Sequence, residues 1–572
     1  MSNDANLNAL WCRAIAEELI RGGVVHAVLC PGSRNSPLLF ALAEVFGDKA
    51  ISHIDERSAA FMALGMVRAT GKPAVVCVTS GSAVANCLPA LCEAHAAGLP
   101  VIVIAADRPW ELHHRSAPQT MPQLGIFGAY ADELALGEPL ADENVLLSLR
   151  SQVSRVAQRR TPSFINCPVR DPLPPIADGW VAPALSPLAL HGREHRPFTV
   201  VGPAAGWPPP AALDWYGDGI RGLDFLRPGL RGVIIAGVGS GAYPSLIAEL
   251  AGATGFPIVA DAASGLRGVD CPNLISSHDA LLAGAFADAE PELIIQIGQA
   301  PLTRTAYEWL GRQTCPVILF EDGQNRDFLN RAWVAIQKPS PGTYRAIAKA
   351  CATGDSPWLK LWIDADQQAL RRLQTAMTTE AWGESVAVHE AVNHPGFQSM
   401  HVASSMAIRH ANLHLLPGTH SPMVHANRGI NGIDGTLGTF IGEQITSGGG
   451  GVLLTGDLAA LHDLPALTAA RHLRGCAIVV LNNDGGGLFD FLSVAKMPGY
   501  VSLVRTPHGL SFTHVAAQFG LEYRLVNDRL ALTKALDEAA HAQGCLVIEC
   551  ALAGLDAVAQ HRRLLRITAG TV

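Results

Sequence analysis

The chain has 572 residues, too many for one hydrophobic core, and its length predicts about three domains. Hydrophobic residues make up 49% and charged residues 16%, which excludes a disordered chain; a formal charge of -8 with no Lys/Arg cluster excludes a nucleic-acid footprint. Small anionic substrates stay open only where arginines gather locally against that charge.

MSNDANLNALWCRAIAEELIRGG reads as an amphipathic helix with acids in it, lacking the apolar centre of a signal peptide, and no later stretch reaches membrane-spanning length. From Val24 to Pro168, short apolar strands alternate with helical segments: VHAVLC, AISHI, AVVCV and VIVIAA are separated by SPLLFALAEVF, ERSAAFMALGMVRA and SAVANCLPALCEAHAA. This pattern predicts a doubly wound α/β domain over 1–180. The proline-, glycine- and tryptophan-rich stretch 181–225 has no period and reads as a surface linker. A smaller α/β unit is expected over 226–352 from GVIIAG, FPIVADA, LIIQIG and PVILFED, then a linker helix within 353–384. A third unit, 385–572, is marked by MVHAN, GVLLTGD, CAIVVLNND and GCLVIEC. The expected fold class is therefore α/β, with three doubly wound parallel sheets. TSGSAVANCLPAL and TGDLAALHDLPAL, from the first and third units, share a faint echo of duplication. Twelve cysteines form no C-x-x-C pair, and Cys30, Cys77 and Cys476 lie inside apolar runs. They read as core residues of a reducing compartment, and the cytoplasm is the expected location.

Polar residues at strand ends carry the chemistry. CAIVVL is continuously apolar, as an interior parallel strand should be, and LNNDGGG follows at its carboxyl end, the edge where ligands bind in open α/β sheets. GVLLTGD places Asp457 at another such end, 26 residues before Asn483, the spacing of one strand-helix-strand unit. An Asp carboxylate, an Asn carbonyl oxygen and the Gly485 carbonyl make an oxygen-only set suited to Mg²⁺, with the glycines facing a diphosphate. Separately, Asp457 as a helix N-cap and Asn483 as a turn residue are the local alternatives.

The G-D-x-(about 25)-N-N pattern resembles the diphosphate motif of thiamine diphosphate enzymes. Those enzymes need a glutamate on another domain to share a proton with the aminopyrimidine ring, and HIDERSAAFMALG offers Glu56; there the local alternative is Asp55 as N-cap with Glu56 in the first helical turn. PGSRNSPL, DERSAAFMALG, TSGSAVANCLPAL, ADRPWEL, NCPVRDPL, SMAIR, ANRGINGIDG, GDLAALHDL and NNDGGGLFDFL together closely resemble the 2-succinyl-5-enolpyruvyl-6-hydroxy-3-cyclohexene-1-carboxylate synthase family of menaquinone biosynthesis. The likeness covers both outer domains. It departs from the family at Pro118, Ser404 and Ala407, and middle-domain basic residues are displaced, leaving Arg304 as the nearby candidate.

The resemblance implies a pyrimidine-binding first domain, a diphosphate-binding third domain and a Rossmann-like middle domain. It implies thiamine diphosphate with Mg²⁺, or Mn²⁺ in its place, held by Asp457, Asn483 and Gly485. Thr79, Gly456, Leu458 and Gly486 would line the cofactor, and Ile433 would prop it, with core packing the alternative for Ile433. The implied reaction is decarboxylation of 2-oxoglutarate and conjugate addition of the resulting succinyl-semialdehyde carbanion to isochorismate. Four substrate carboxylates call for arginines, and Arg34, Arg409 and Arg428 stand in the matching motifs. Arg108 joins them, with a structural ion pair as its alternative; Ser33, Gln119 and Ser405 complete the polar set. Leu488, Phe489 and Leu492 would wall the isochorismate side, or else simply pack. A homodimer is implied, with tetramers left open.

Three other readings compete. A 2-oxoacid decarboxylase or acetolactate-type synthase would share Glu56, Asp457 and Asn483 but has no need of the arginine motifs. GVIIAGVGSGA followed by Asp261 resembles a dinucleotide fingerprint, but its last glycine is out of register and Pro244 enters the helix early. A non-catalytic relative would not need an intact Glu56 and Asp457.

Overall fold

The computed structural model describes residues 3–173, 184–201, 215–216, 219–220, 223–418 and 422–571. Strands and helices alternate along it to give three six-stranded sheets, each parallel throughout. In the first, β1 (His26–Leu29), β2 (Ala50–Ser52), β3 (Ala74–Val78), β4 (Val101–Asp107), β5 (Asp132–Ala135) and β6 (Ser163–Pro168) lie in the order β2-β1-β3-β4-β6-β5. A two-stranded antiparallel pair follows, β7 (Trp215–Tyr216) with β8 (Gly219–Ile220). The middle sheet comprises β9 (Gly232–Ala236), β10 (Ile258–Ala260), β11 (Leu274–Ile275), β12 (Leu293–Ile297), β13 (Val317–Glu321) and β14 (Val334–Gln337), ordered β11-β10-β9-β12-β13-β14. The last comprises β15 (Ser399–Val402), β16 (Met423–His425), β17 (Gly451–Gly456), β18 (Cys476–Asn482), β19 (Glu522–Val526) and β20 (Cys545–Ala551), ordered β16-β15-β17-β18-β20-β19.

The outer sheets thus repeat one strand order, and the two echoing segments both lie at the carboxyl end of the third strand of their sheet, β3 and β17. The middle sheet has the order of a dinucleotide-binding fold. Interior strands β3, β4 and β18 are buried along their whole length, as their unbroken apolar runs require when helices cover both faces. All twelve cysteines are free thiols, nine of them buried. No helix among the described residues is long and apolar enough to cross a membrane.

Two compact units emerge. One contains the first sheet with Asn427–Gly449 and Ala459–Leu473, and the other contains the middle and third sheets. Within the first, helix Thr436–Ser447 lies directly on helix Glu56–Thr70. A Cβ at Gly65 would collide with the Thr439 carbonyl, and one at Gly442 with that of Met62, so these glycines permit the close approach. The stretch expected as the third domain therefore lends two of its segments to the first compact unit. The expected linker helix is Pro357–Thr379. Of the expected linker 181–225, residues 184–201 carry a short helix, Pro187–His191, fastened by Arg150 Nε to the Ala189 carbonyl at 2.8 Å. Most of the rest of that linker lies outside the described residues.

Candidate active site

In the first unit the candidates sit at the carboxyl ends of parallel strands. Asp55 caps helix Glu56–Thr70 by accepting from Ser58 N at 2.7 Å, as the local reading of that pair expects. Glu56 is the first residue of the helix, and its Oε2 accepts from Asn86 Nδ2 at 3.1 Å. Thr79 follows β3. Ser33 and Arg34 occupy the turn after β1; Ser33 is exposed, whereas Arg34 is largely buried, donating to the Val169 carbonyl at 3.0 Å and pairing with Asp171 at 2.8 Å.

Arg108 directly follows β4, and among the described residues it forms no ion pair. Its guanidinium donates to the Ser80 hydroxyl, while Asp107 is taken by the Arg108 amide and by Asn166 Nδ2 at 2.8 Å. Burial, and the charge of Arg34 beside it, hold Arg108 below the usual guanidinium range. Gln119 lies in a loop where His114, Ser116 and Gln119 itself all have φ between +52° and +59°. Strain of this kind clusters at binding loops.

Arg428 and Ile433 ride on the loop after β16. The buried Glu93 carboxylate pins that loop, accepting from Gly429 N at 2.8 Å and Ile430 N at 2.7 Å. Ile433 is 46% exposed, so core packing does not explain it.

In the second unit, β17 and β18 pair with Gly456 beside Leu481, which brings Asp457 and Asn483 to neighbouring strand ends. Asp457 is the first residue of helix Asp457–His462 rather than the residue before it; its Oδ1 accepts from Leu458 N at 2.6 Å and its Oδ2 from Gly485 N at 2.8 Å. Asn483 is not the turn residue. That task falls to Asn482, whose Oδ1 accepts from Asp484 N. Asn483 instead donates Nδ2 to Glu384 Oε2 at 3.2 Å, and its Oδ1, although buried, has no hydrogen-bond partner among the described residues. Gly485 has φ +119°, a conformation open to glycine. Arg505 grips the loop, donating to the carbonyls of Asn483 at 2.7 Å and Asp484 at 2.8 Å. His508 Nδ1 accepts from Leu510 N at 2.9 Å, which leaves the proton on Nε2, 3.2 Å from Asp457 Oδ2. Burial pushes the Glu384 carboxyl up to about 7, aided by Asp457 and Asp490 and opposed by the Asn483 hydrogen bond and Arg505.

Ser405 carries φ +78° at the start of helix Met406–His414. Arg409, one turn on, is lowered by burial and donates Nη1 to the Ser405 carbonyl at 2.6 Å. Leu488 and Phe489 are partly buried and Leu492 is 47% exposed, so this trio is not core. Arg304 lies apart: at the exposed start of helix Arg304–Arg312 it pairs with Glu308 at 2.7 Å, and among the described residues it makes no hydrogen bond or ion pair to another candidate. Asp261, the acid of the fingerprint reading, is turned inward and accepts from Leu302 N at 3.0 Å. It offers nothing to a ribose.

An oxygen-only donor set fits a small hard cation. The buried, unpartnered Asn483 Oδ1 beside Asp457 is what such a site should leave when described without its ion. Sequence reasoning missed Asn86, Glu93, Glu384, Arg505 and His508. Glu384 reads locally as an acid at a helix start, and nothing in its neighbourhood marks it otherwise.

A family model described as "Thiamine pyrophosphate enzyme, N-terminal TPP binding domain" matches residues 12–126, and "Thiamine pyrophosphate enzyme, C-terminal TPP binding domain" matches residues 410–550. The chain is 38% identical to a 2-succinyl-5-enolpyruvyl-6-hydroxy-3-cyclohexene-1-carboxylate synthase of Myxococcus xanthus, covering 99% of this chain and 98% of the relative. It is 33% identical to that of Roseiflexus castenholzii, over 95% and 96% of the two chains, and 35% identical to that of Rubrobacter xylanophilus, over 98% and 99%.

Proposed function

The chain belongs to the 2-succinyl-5-enolpyruvyl-6-hydroxy-3-cyclohexene-1-carboxylate synthase family of thiamine diphosphate enzymes, and we propose that it joins 2-oxoglutarate, with loss of CO₂, to isochorismate. It is a thiamine diphosphate-dependent transferase of menaquinone biosynthesis. The observation that carries the site reading is the unpartnered Asn483 Oδ1 at the strand end next to Asp457.

Asp457, Asn483 and the Gly485 carbonyl would hold Mg²⁺, or Mn²⁺, against the diphosphate, with Gly456, Leu458 and Gly486 beside it. When bound, thiamine diphosphate supplies the nucleophilic carbon that attacks the 2-oxo carbon of the donor. Glu56 shares a proton with the aminopyrimidine, Thr79 lines that ring, and Ile433 props the cofactor. Asn86 leaves one Glu56 oxygen hydrogen-bonded and the carboxylate oriented. Arg34, Arg108, Arg409 and Arg428 hold substrate carboxylates through charge-assisted hydrogen bonds, with Ser33, Gln119 and Ser405 completing the polar contacts. Arg304 would first have to leave Glu308. Leu488, Phe489 and Leu492 exclude water during the addition step.

The three sheets would correspond to pyrimidine-binding, middle and diphosphate-binding domains, in a cytoplasmic homodimer whose pairing into tetramers is open. The test is incubation with thiamine diphosphate, Mg²⁺, 2-oxoglutarate and isochorismate, followed by mass analysis. The adduct mass with CO₂ release is expected. Equal turnover of pyruvate, or no adduct, would defeat this reading in favour of another thiamine diphosphate chemistry.

A further inference from the structure

Asn483 can serve a cation only through its carbonyl oxygen, yet a carboxamide is nearly symmetric in shape and can present either end. Glu384, first residue of helix Glu384–Val392, bears directly on that choice. Its buried Oε2 faces Asn483 Nδ2 at 3.2 Å across 99 positions of sequence. Oε1 faces the His410 Nε2 at 3.5 Å, and burial keeps that imidazole neutral. Oε2 is the oxygen within hydrogen-bond reach of Asn483, and it accepts there. The amide nitrogen must then point at Glu384 and the oxygen away from it. Gly487 makes room for this arrangement, since a Cβ there would stand 2.5 Å from Asn483 Nδ2. Asn483 Oδ1, directed the other way, is the buried oxygen without a partner among the described residues.

We propose that Glu384 is a positioning residue that sets the polarity of the Asn483 amide, so that a divalent cation meets oxygen rather than nitrogen. This rests on the reading of Asp457, Asn483 and Gly485 as cation ligands. His508 stands in a similar relation to Asp457, but a carboxylate is the same at both ends and needs no such choice. Without Glu384, the amide can turn its oxygen to the cation only by leaving Nδ2 buried and unpaired, or it can reverse and repel the cation. A merely structural Glu384 would instead cost stability and spare the cation.

The test is Mn²⁺ titration in the presence of thiamine diphosphate and without substrate, with free aqueous Mn²⁺ read by electron paramagnetic resonance. Glu384→Leu should raise the Mn²⁺ Kd about ten- to a hundredfold. Adding Asn483→Asp, which offers oxygen at both ends, should return the Kd to within about threefold of the unaltered protein. Wild-type Mn²⁺ binding by Glu384→Leu, or a double variant no better than the single, would overturn the proposal. Asp457→Ala separates the two levels: if that variant binds Mn²⁺ normally, the cation reading itself is wrong. Should circular dichroism show Glu384→Leu unfolded, Glu384→Gln carries the test. Two amides pair in either polarity, so only a fraction presents oxygen and the Kd should rise about two- to fivefold. An unchanged Kd there overturns the proposal equally.

Discussion

Gly485→Ala should disable the proposed cation loop while a glycine change close by is tolerated. Gly485 has φ +119°, where an L-residue is strained, and a Cβ there would collide with the Arg505 carbonyl and stand 2.9 Å from that of Thr506. The Arg505 carbonyl cannot simply withdraw. It accepts from Gly486 N at 2.7 Å, and the guanidinium of the same residue holds the Asn483 and Asp484 carbonyls. Backbone strain of about 1–3 kcal/mol and loss of about two hydrogen bonds at about 1 kcal/mol each give about 3–5 kcal/mol. The loss falls on the loop that carries two of the three proposed ligand oxygens. It should therefore weaken Mn²⁺ binding by about a hundredfold or more. Gly509→Ala is the control: φ is +61° and nothing lies within 4 Å of the added carbon, so about 1–2 kcal/mol of strain is all it should cost. Both variants would be measured by Mn²⁺ titration and thermal melting. If Gly485→Ala binds Mn²⁺ as tightly as Gly509→Ala, the loop does not hold the cation.

Glu56→Gln should keep thiamine diphosphate affinity, measured by calorimetry, while turnover falls about 10²- to 10⁴-fold; near-native activity would remove Glu56 from the proton transfer. Arg409→Ala should lower kcat/KM for 2-oxoglutarate about thirty- to a hundredfold with cofactor binding unchanged, and lysine should rescue only partly. If instead the melting temperature drops and every donor suffers alike, Arg409 is only closing on the Ser405 carbonyl of its own helix. Mixing Glu56→Gln subunits with Asp457→Ala subunits should restore activity if each site draws on two chains, and no recovery after confirmed exchange would place both residues in one chain's site. Acid should destabilise the protein below pH 6.5. Burial lowers His389 and His561 to about 4 and also depresses His410 and His414, so the folded state takes up fewer protons than the unfolded chain. Their contribution is complete above 6.5 and is lost as pH falls towards 4, by up to about 3 kcal/mol for each of the first two. Glu384, pushed up to about 7, and Asp463, pushed up to about 6, both by burial, oppose this by favouring folding as they protonate, and Asp366, raised by burial, acts in the same direction. Melting curves at pH 7.5 and 5.0 should show the net fall, and equal midpoints would refute it.

The interior strands were legible because burial on both faces demands an unbroken apolar run: AVVCV, VIVIAA, GVLLTG and CAIVVL each became a strand within a residue or two of the expected ends. Strands β5, β14 and β19 were not legible. They lie at sheet edges, and DELA, VAIQ and EYRLV are half polar because one side meets water. No composition marks Asn427–Gly449 as companion to the first sheet; what decides it is glycine spacing on two helices far apart in sequence, Gly65 against Thr439 and Gly442 against Met62.

A similar distinction divides the site. Asp457, Asn483 and Gly485 were legible as proposed cation ligands because a hard cation would restrict which residue types can serve, and a parallel sheet restricts where they can stand. Glu384, Arg505 and His508 face no such restriction of type. Any acceptor could take the Asn483 amide hydrogen, and any donor could take the Asp457 oxygen. What selects them is position: they act across 99, 22 and 51 residues respectively. Each also has an ordinary local explanation, as a helix-start acid or a loop cation, that satisfies the sequence completely. The groups proposed to touch a ligand are therefore readable from chemistry, while the groups proposed to aim them become visible only when an oxygen such as Asn483 Oδ1 is found buried and without a partner among the described residues.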